Sequence, residues 1–295
     1  MLIRKLSGTA PQPAFPRGTV DTQMHLYLPD FPAVTGGPGL PAGDLPDPEA
    51  YRQVMGWLGI DRAIITQGNA HQSDNRNLLA CLEAMAGRAW GVAVITPQTG
   101  DAEIEALSAH GVLGARIMDL PGGAVGFADL EAIDAKAYAA GWMLAVQFDG
   151  SRLLEHMPRL QRLKSRWVID HHAKIFAGAA ADSPVVDAIL SLLDQGNVWF
   201  KCAASYESSR EVWPYEDIAA RARRITSHAP ERIVWGTNWP HNGIKETKDY
   251  PDDAALAMLE LSWLPQGWRD RILVENPEML YGLPPFVPEA IAGRD

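Results

Sequence analysis

Short β-rich runs alternate with amphipathic segments along almost the whole chain. The runs predicted as strands are Thr19–Leu26, Arg62–Gln67, Trp90–Ile95, Val112–Ile117, Trp142–Phe148, Arg166–His171, Val198–Ala203 and Arg232–Asn238. Most are apolar through their centres, as strands covered on both faces must be. Helical candidates lie between them. Asp47-Pro48-Glu49 opens one, with a capping side chain and a proline at the first helical position. Asn75–Ala86 sets Leu78, Leu79, Leu82 and Met85 at helical spacing. Asp101–Ala109, Asp129–Ala140, Ser183–Asp194 and Pro214–His228 follow the same logic, and Ala254–Leu264 and Trp268–Val274 come after the last strand.

Eight strands alternating with helices predict an α/β fold, a single-domain (β/α)8 TIM barrel. A doubly wound open sheet is the alternative, but no G-x-G-x-x-G turn follows the first strand to favour it. Residues 1–18, with Pro11, Pro13 and Pro16, read as an extended N-terminal arm rather than a core element. Residues 19–295 read as the barrel domain with its C-terminal helices. The long irregular stretch Leu28–Pro46 follows the first strand, where a barrel enzyme keeps active-site loops.

Charge and cysteine usage narrow the function. Lys and Arg number 26 against 36 Asp and Glu, a net charge of -10 with no basic block. That excludes an ordinary nucleic-acid or anionic-membrane surface. An anionic substrate must then be held by a few local cations. No apolar run approaches the ~18 residues of a membrane span, and the start has no apolar core long enough for a secretory signal. Cys81 and Cys202 belong to no Cys-x-x-Cys pair. This argues against a disulfide framework or zinc–thiolate site and fits a reducing cytosol. The expectation is a cytoplasmic protein; the oligomeric state stays open, a homo-oligomer included.

In a barrel, chemistry sits at the carboxyl ends of strands. Strand one ends Asp21-Thr22-Gln23-Met24-His25, and alternation puts Asp21, Gln23 and His25 on one face. Strand two ends near Asn69. Strand four offers Arg116, strand five Gln147, strand six Asp170-His171-His172, and strand seven Lys201 followed by Tyr206. Strand eight ends Thr237-Asn238-Trp239-Pro240-His241. Several cations at the ends of apolar runs suggest an anion or carbonyl site. Arg116 could equally neutralise Asp21 or another carboxylate, and Lys201 could equally be a solvated strand-end lysine. Of His171 and His172 only one can point inward, and His171 is the one expected to.

In their order these motifs resemble the lactonase branch of the amidohydrolase superfamily, the amidohydrolase 2 type. The resemblance is carried by Val20-Asp21-Thr22-Gln23-Met24-His25, Val168-Ile169-Asp170-His171, Trp235-Gly236-Thr237-Asn238-Trp239-Pro240 and Ile272–Gly282. Within that branch the chain is similar to the 2-pyrone-4,6-dicarboxylate lactonases and to the isomerases that act on galactarolactone. The resemblance implies a barrel, a sugar-acid or related lactone as small-molecule anionic substrate, and catalysis without metal or other cofactor. Two departures matter. The family's His-x-His is here Gln23-Met24-His25, and its strand-eight acid is Asn238. A divalent metal prefers imidazole, carboxylate or thiolate, and an amide cannot take a proton from water.

A carbonyl can still be polarised by donors such as His25, His171 and Asn238, while water lacks a base. The competing nucleophile is then a hydroxyl of the substrate itself, favoured by an effective molarity of ~10⁵–10⁸ M. The expected reaction is isomerisation of a six-membered aldarate lactone to a five-membered one. The resemblance makes the pair D-galactaro-1,5-lactone and the 1,4-lactone. The candidate catalytic residues are His25, His171 and Asn238, with His25 or His171 carrying the proton. Gln23, Arg116, Gln147, Lys201, Tyr206, Trp239 and His241 are the candidate substrate contacts. Two other readings stay open: a true lactonase with an acid such as Asp21 or Asp170, and a sugar-acid binding barrel without chemistry.

Overall fold

A computed structural model of the chain describes residues 2–287; the last eight residues of the predicted barrel domain lie outside it. The strands are β1 (Val20–Met24), β2 (Arg62–Thr66), β3 (Ala89–Ala93), β4 (Val112–Asp119), β5 (Met143–Phe148), β6 (Trp167–Ile169), β7 (Val198–Cys202) and β8 (Ile233–Trp235). They pair in parallel and in chain order. The barrel closes where Met24 pairs with Trp239 just past β8, the His25 N–H donates to the Trp239 carbonyl and the Asn238 N–H to the Gln23 carbonyl. Gly236 sits at this seam. A Cβ there would lie 2.7 Å from both the Gln23 backbone nitrogen and its Cβ, so only glycine admits the approach.

The helices are α1 (Pro48–Leu58), α2 (Arg76–Ala84), α3 (Asp101–Ala109), α4 (Leu130–Ala139), α5 (Leu153–Leu160), α6 (Pro184–Leu193), α7 (Glu216–His228), α8 (Asp253–Leu261), α9 (Arg269–Leu273) and α10 (Glu275–Tyr281). α1 begins and ends as its sequence dictates. The Asp47 side chain accepts from the Ala50 N–H at 2.8 Å, and Gly59 stops the helix at φ 82°. α5 was not expected, because Pro158 lies inside it. It forms nonetheless, with Leu153 and Leu160 buried; packing outweighs the one hydrogen bond the proline removes. The helix expected at Trp268–Val274 is Arg269–Leu273, and α10 follows it directly.

Strand alternation sorts the side chains into two layers. Ala63, Ile65, Leu144, Val146, Ile169 and Phe200 belong to the large cluster shared with the helices. Ile64, Val92, Met143, Ala145, Val168, Trp199 and Val234 form a second cluster with Leu280, Tyr281 and Leu283. These fill the barrel interior at its amino end, plugged by the end of α10. One pleat further along, the interior turns polar with Thr66, Arg116, Gln147 and Lys201, all buried. Residues 2–18, within the N-terminal arm, form no helix or strand. They are nevertheless part of the core: Leu2 and Phe15 are buried, and Phe15 meets Trp235 edge-on at 5.4 Å. Among the described residues no helix is long and apolar enough to cross a membrane.

Candidate active site

The polar strand ends open into a cavity of about 490 Å³ at the carboxyl side of the barrel. His25, Arg116, Gln147, His171, Tyr206 and Asn238 line it, six of the ten residues singled out from sequence. Lys174 and Glu207 also line it and were not foreseen. The remaining four lie behind the wall. Gln23 and Lys201 are wholly buried beneath it, Trp239 packs on Tyr51 at 5.3 Å, and His241 stands behind Tyr206.

The β1 register shifts between Asp21 and Met24, and alternation fails there. Asp21 and Gln23 do not share a face. Asp21 accepts from Tyr51 Oη of α1 at 2.7 Å and from the Thr237 N–H at 2.9 Å, tying β1 to the β8 end and α1. Burial raises its pKa against those hydrogen bonds. Gln23 instead turns inward, where its Oε1 accepts from Lys201 Nζ at 2.9 Å.

That bond fixes the state of His25. Lys201 only donates, so the Gln23 carbonyl faces it and the Gln23 amide nitrogen faces His25 Nε2, at 3.4 Å. On the other side, His25 Nδ1 donates to the Thr66 carbonyl at 2.8 Å. Both contacts demand the same tautomer, with hydrogen on Nδ1 and a lone pair on Nε2. Burial, followed by the Arg116 charge, pushes the His25 pKa down to about 3. The resting imidazole is therefore a neutral acceptor, not the donor to an oxyanion that its sequence position suggested.

A second chain of hydrogen bonds runs around the wall in one direction. Arg116 Nη2 donates to Gln147 Oε1 at 3.0 Å. Gln147 Nε2 donates to His171 Nδ1 at 3.3 Å. His171 Nε2 donates to Asn238 Oδ1 at 3.1 Å. Asn238 Nδ2 donates to Tyr206 Oη at 2.9 Å and Glu207 Oε1 at 3.0 Å. Tyr206 in turn donates to His241 Nδ1 at 2.7 Å, and His241 Nε2 donates to Asp253 at 2.9 Å. A donor-only guanidinium at one end and two carboxylates at the other fix every polarity between them. His171 thus has both nitrogens occupied. Burial, and then Lys174, hold its pKa well below the usual 6.5.

Arg116 is buried without a carboxylate partner among the described residues. Its Nη1 donates to the Gln67 carbonyl and Asn69 Oδ1, both at 2.9 Å, and its Nε has no acceptor among the described residues. Burial lowers its pKa, with Asp170 opposing. Lys201 differs: it pairs with Asp170 at 2.7 Å, both wholly buried. Burial alone would lower the Lys201 pKa, but Asp170 and Tyr281 together raise it. Lys174 reaches the cavity through an unusual turn. His171, His172, Ala173 and Lys174 all have positive φ, from 46° to 62°, a conformation costing non-glycine residues about 1–2 kcal/mol each. The turn brings His171 and Lys174 to one wall and sends His172 the other way, towards Phe200 and Trp263.

The donor set does not suit a metal. Gln23 Oε1 is held by an ammonium and Asn238 Oδ1 by His171. Among the described residues no three His, Cys, Asp or Glu side chains are grouped to hold one.

A polar cavity at the carboxyl mouth of a (β/α)8 barrel defines a small-molecule site. The amidohydrolase family model (Amidohydro_2) matches residues 20–283, and the chain belongs to that family. It is 62% identical to D-galactarolactone isomerase of Agrobacterium fabrum over 285 residues, 96% of this chain and 98% of that protein. It is 29% identical to 4-sulfomuconolactone hydrolase of Hydrogenophaga intermedia, over 90% of this chain and 89% of that one. An apo crystal structure from Agrobacterium tumefaciens, 62% identical, superposes with a TM-score of 0.95 over 96% of this chain and 100% of that one.

Proposed function

We propose that the protein isomerises D-galactaro-1,5-lactone to D-galactaro-1,4-lactone by intramolecular acyl transfer, without a metal, in the cytoplasmic breakdown of galacturonate-derived sugar acids. The observation that carries the reading is the neutral His25, whose tautomer is fixed from both sides, beside a guanidinium with no carboxylate partner among the described residues. The near-full-length likeness to a galactarolactone isomerase supports the substrate.

The chemistry follows from those groups. The substrate carboxylate settles on Arg116. This neutralises the charge that, after burial, does most to depress the His25 pKa, so binding makes His25 a better base. The substrate's C4 hydroxyl displaces the long Gln23 amide contact from Nε2, which takes its proton as O4 attacks C1. The tetrahedral intermediate collapses by breaking the C1–O5 bond, and the same nitrogen returns its proton to O5. One bond forms, one breaks, and no water is consumed. The Nδ1 hydrogen stays on the Thr66 carbonyl throughout. Asp21 and Asp170, the acids a lactonase might have used, are engaged by donors behind the cavity. Asn238 has no proton-accepting role; its amide aligns His171 and Glu207.

Ring size followed by NMR tests this directly. Protein treated with a chelator should convert the six-membered lactone to the five-membered one at the untreated rate. Release of the open diacid, or activity lost to chelation and restored by metal, contradicts the reading. Arg116→Met should cost about 1.5–3 kcal/mol of binding, one charged hydrogen bond, or about 10–150-fold in KM. The rise should be much smaller for the uncharged methyl ester; equal rises would show Arg116 to be structural.

A further inference from the structure

We infer that Glu207 is the specificity-determining residue that makes this cavity accept singly charged lactones and discriminate against dicarboxylates. The inference rests on the isomerase reading for the lactone class; the charge count behind it does not. Among the described residues, six ionisable side chains line the cavity: His25, Arg116, His171, Lys174, Tyr206 and Glu207. Both imidazoles are held neutral by burial. Burial and the neighbouring Glu207 keep Tyr206 a phenol. That leaves Arg116, Lys174 and Glu207. Below the wall, Lys201 is cancelled by Asp170. The lining therefore carries a surplus of a single positive charge, which one carboxylate completes.

Glu207 is built into that balance. Lys174 forms an ion pair with its Oε2, and Asn238 Nδ2 donates to its Oε1 at 3.0 Å. Burial opposes its ionisation, but the Lys174 charge and the Asn238 hydrogen bond act against burial, and its pKa is lowered. Without Glu207, Lys174 would be a second anchor for an anion. With Glu207 ionised, a second carboxylate enters a half-buried site already neutralised and meets like charge, which is costly at low dielectric. The amide at 238 belongs to the same device. Asn238 Oδ1 is taken by His171, so the Nδ2 donors face Glu207. An aspartate there would set carboxylate against carboxylate at that distance.

The test compares two ligands with one carbon skeleton, galactarate as dianion and D-galactaro-1,4-lactone as monoanion, by calorimetric titration. Glu207→Gln should bind galactarate about 10–100-fold more tightly than wild type, with lactone binding changed less than about three-fold, the gain being one new charged hydrogen bond. Adding Lys174→Met should remove the gain. Glu207→Ser, which deletes the charge with a smaller side chain, should reproduce it. Unchanged or weaker galactarate binding in either folded variant, or a gain that survives loss of Lys174, overturns the inference. So does wild-type protein that binds galactarate as tightly as the lactone. These are binding measurements, so failure of the isomerase reading would show separately, as wild-type protein that leaves ring size unchanged.

Discussion

His25→Asn is expected to lower kcat by about 10²–10⁴-fold, the usual size of a general acid–base contribution, with KM changed far less. The asparagine keeps a polar side chain near the Thr66 carbonyl but offers no nitrogen that can take and return a proton. The pH profile is the companion readout. The His25 pKa is pushed down to about 3 by burial and Arg116, so the base form prevails well below the ordinary histidine range. Wild-type kcat/KM, which reports the free enzyme, should therefore show no acid limb near 6.5. A variant with near-normal turnover would move the proton to another group, with His171, whose nitrogens face Gln147 and Asn238, first in line.

Lys201→Met is expected to act on stability. Its ammonium is wholly buried and pairs with Asp170 at 2.7 Å. Removing it strands a carboxylate in the barrel interior, which typically costs about 3–5 kcal/mol. The cost should appear as a lower midpoint in urea unfolding. Replacing Asp170 by Asn in the same protein should recover part of it, because the stranded charge is then gone. If the single variant is as stable as wild type, the pair is not the keystone its burial suggests, and Lys201 becomes available again as a substrate contact.

The barrel was legible because its strands are buried on both faces and its helices carry period and caps, as at Asp47 and Gly59. Exceptions to local rules were not. The register shift in β1 separates Asp21 from Gln23, which simple alternation places together. α5 hides behind Pro158. The site was half legible for the same reason. His25, Arg116, Gln147 and Asn238 lie on or just beyond strands, where position follows from the pleat. Lys174 and Glu207 lie beyond strand ends, one after a left-handed turn and one in the short helical turn Ser205–Glu207, and no periodicity reaches them. Their only signal was proximity in sequence to His171 and Tyr206. The Lys201–Asp170 pair could have been foreseen. Ile169 pairs with Phe200 across β6 and β7, so the next residue of each strand run is a neighbour.

The central claim is that the substrate's own hydroxyl, and not water, attacks the carbonyl. The most direct test runs the reaction in ¹⁸O-labelled water and reads the five-membered lactone by mass spectrometry, corrected for spontaneous hydrolysis. Intramolecular transfer predicts product with no label above background, because the carbonyl oxygen at C1 is never exchanged. Hydrolysis followed by reclosure would carry labelled oxygen into the product carboxyl carbon. Label appearing in step with turnover would contradict the account and make the protein a lactonase.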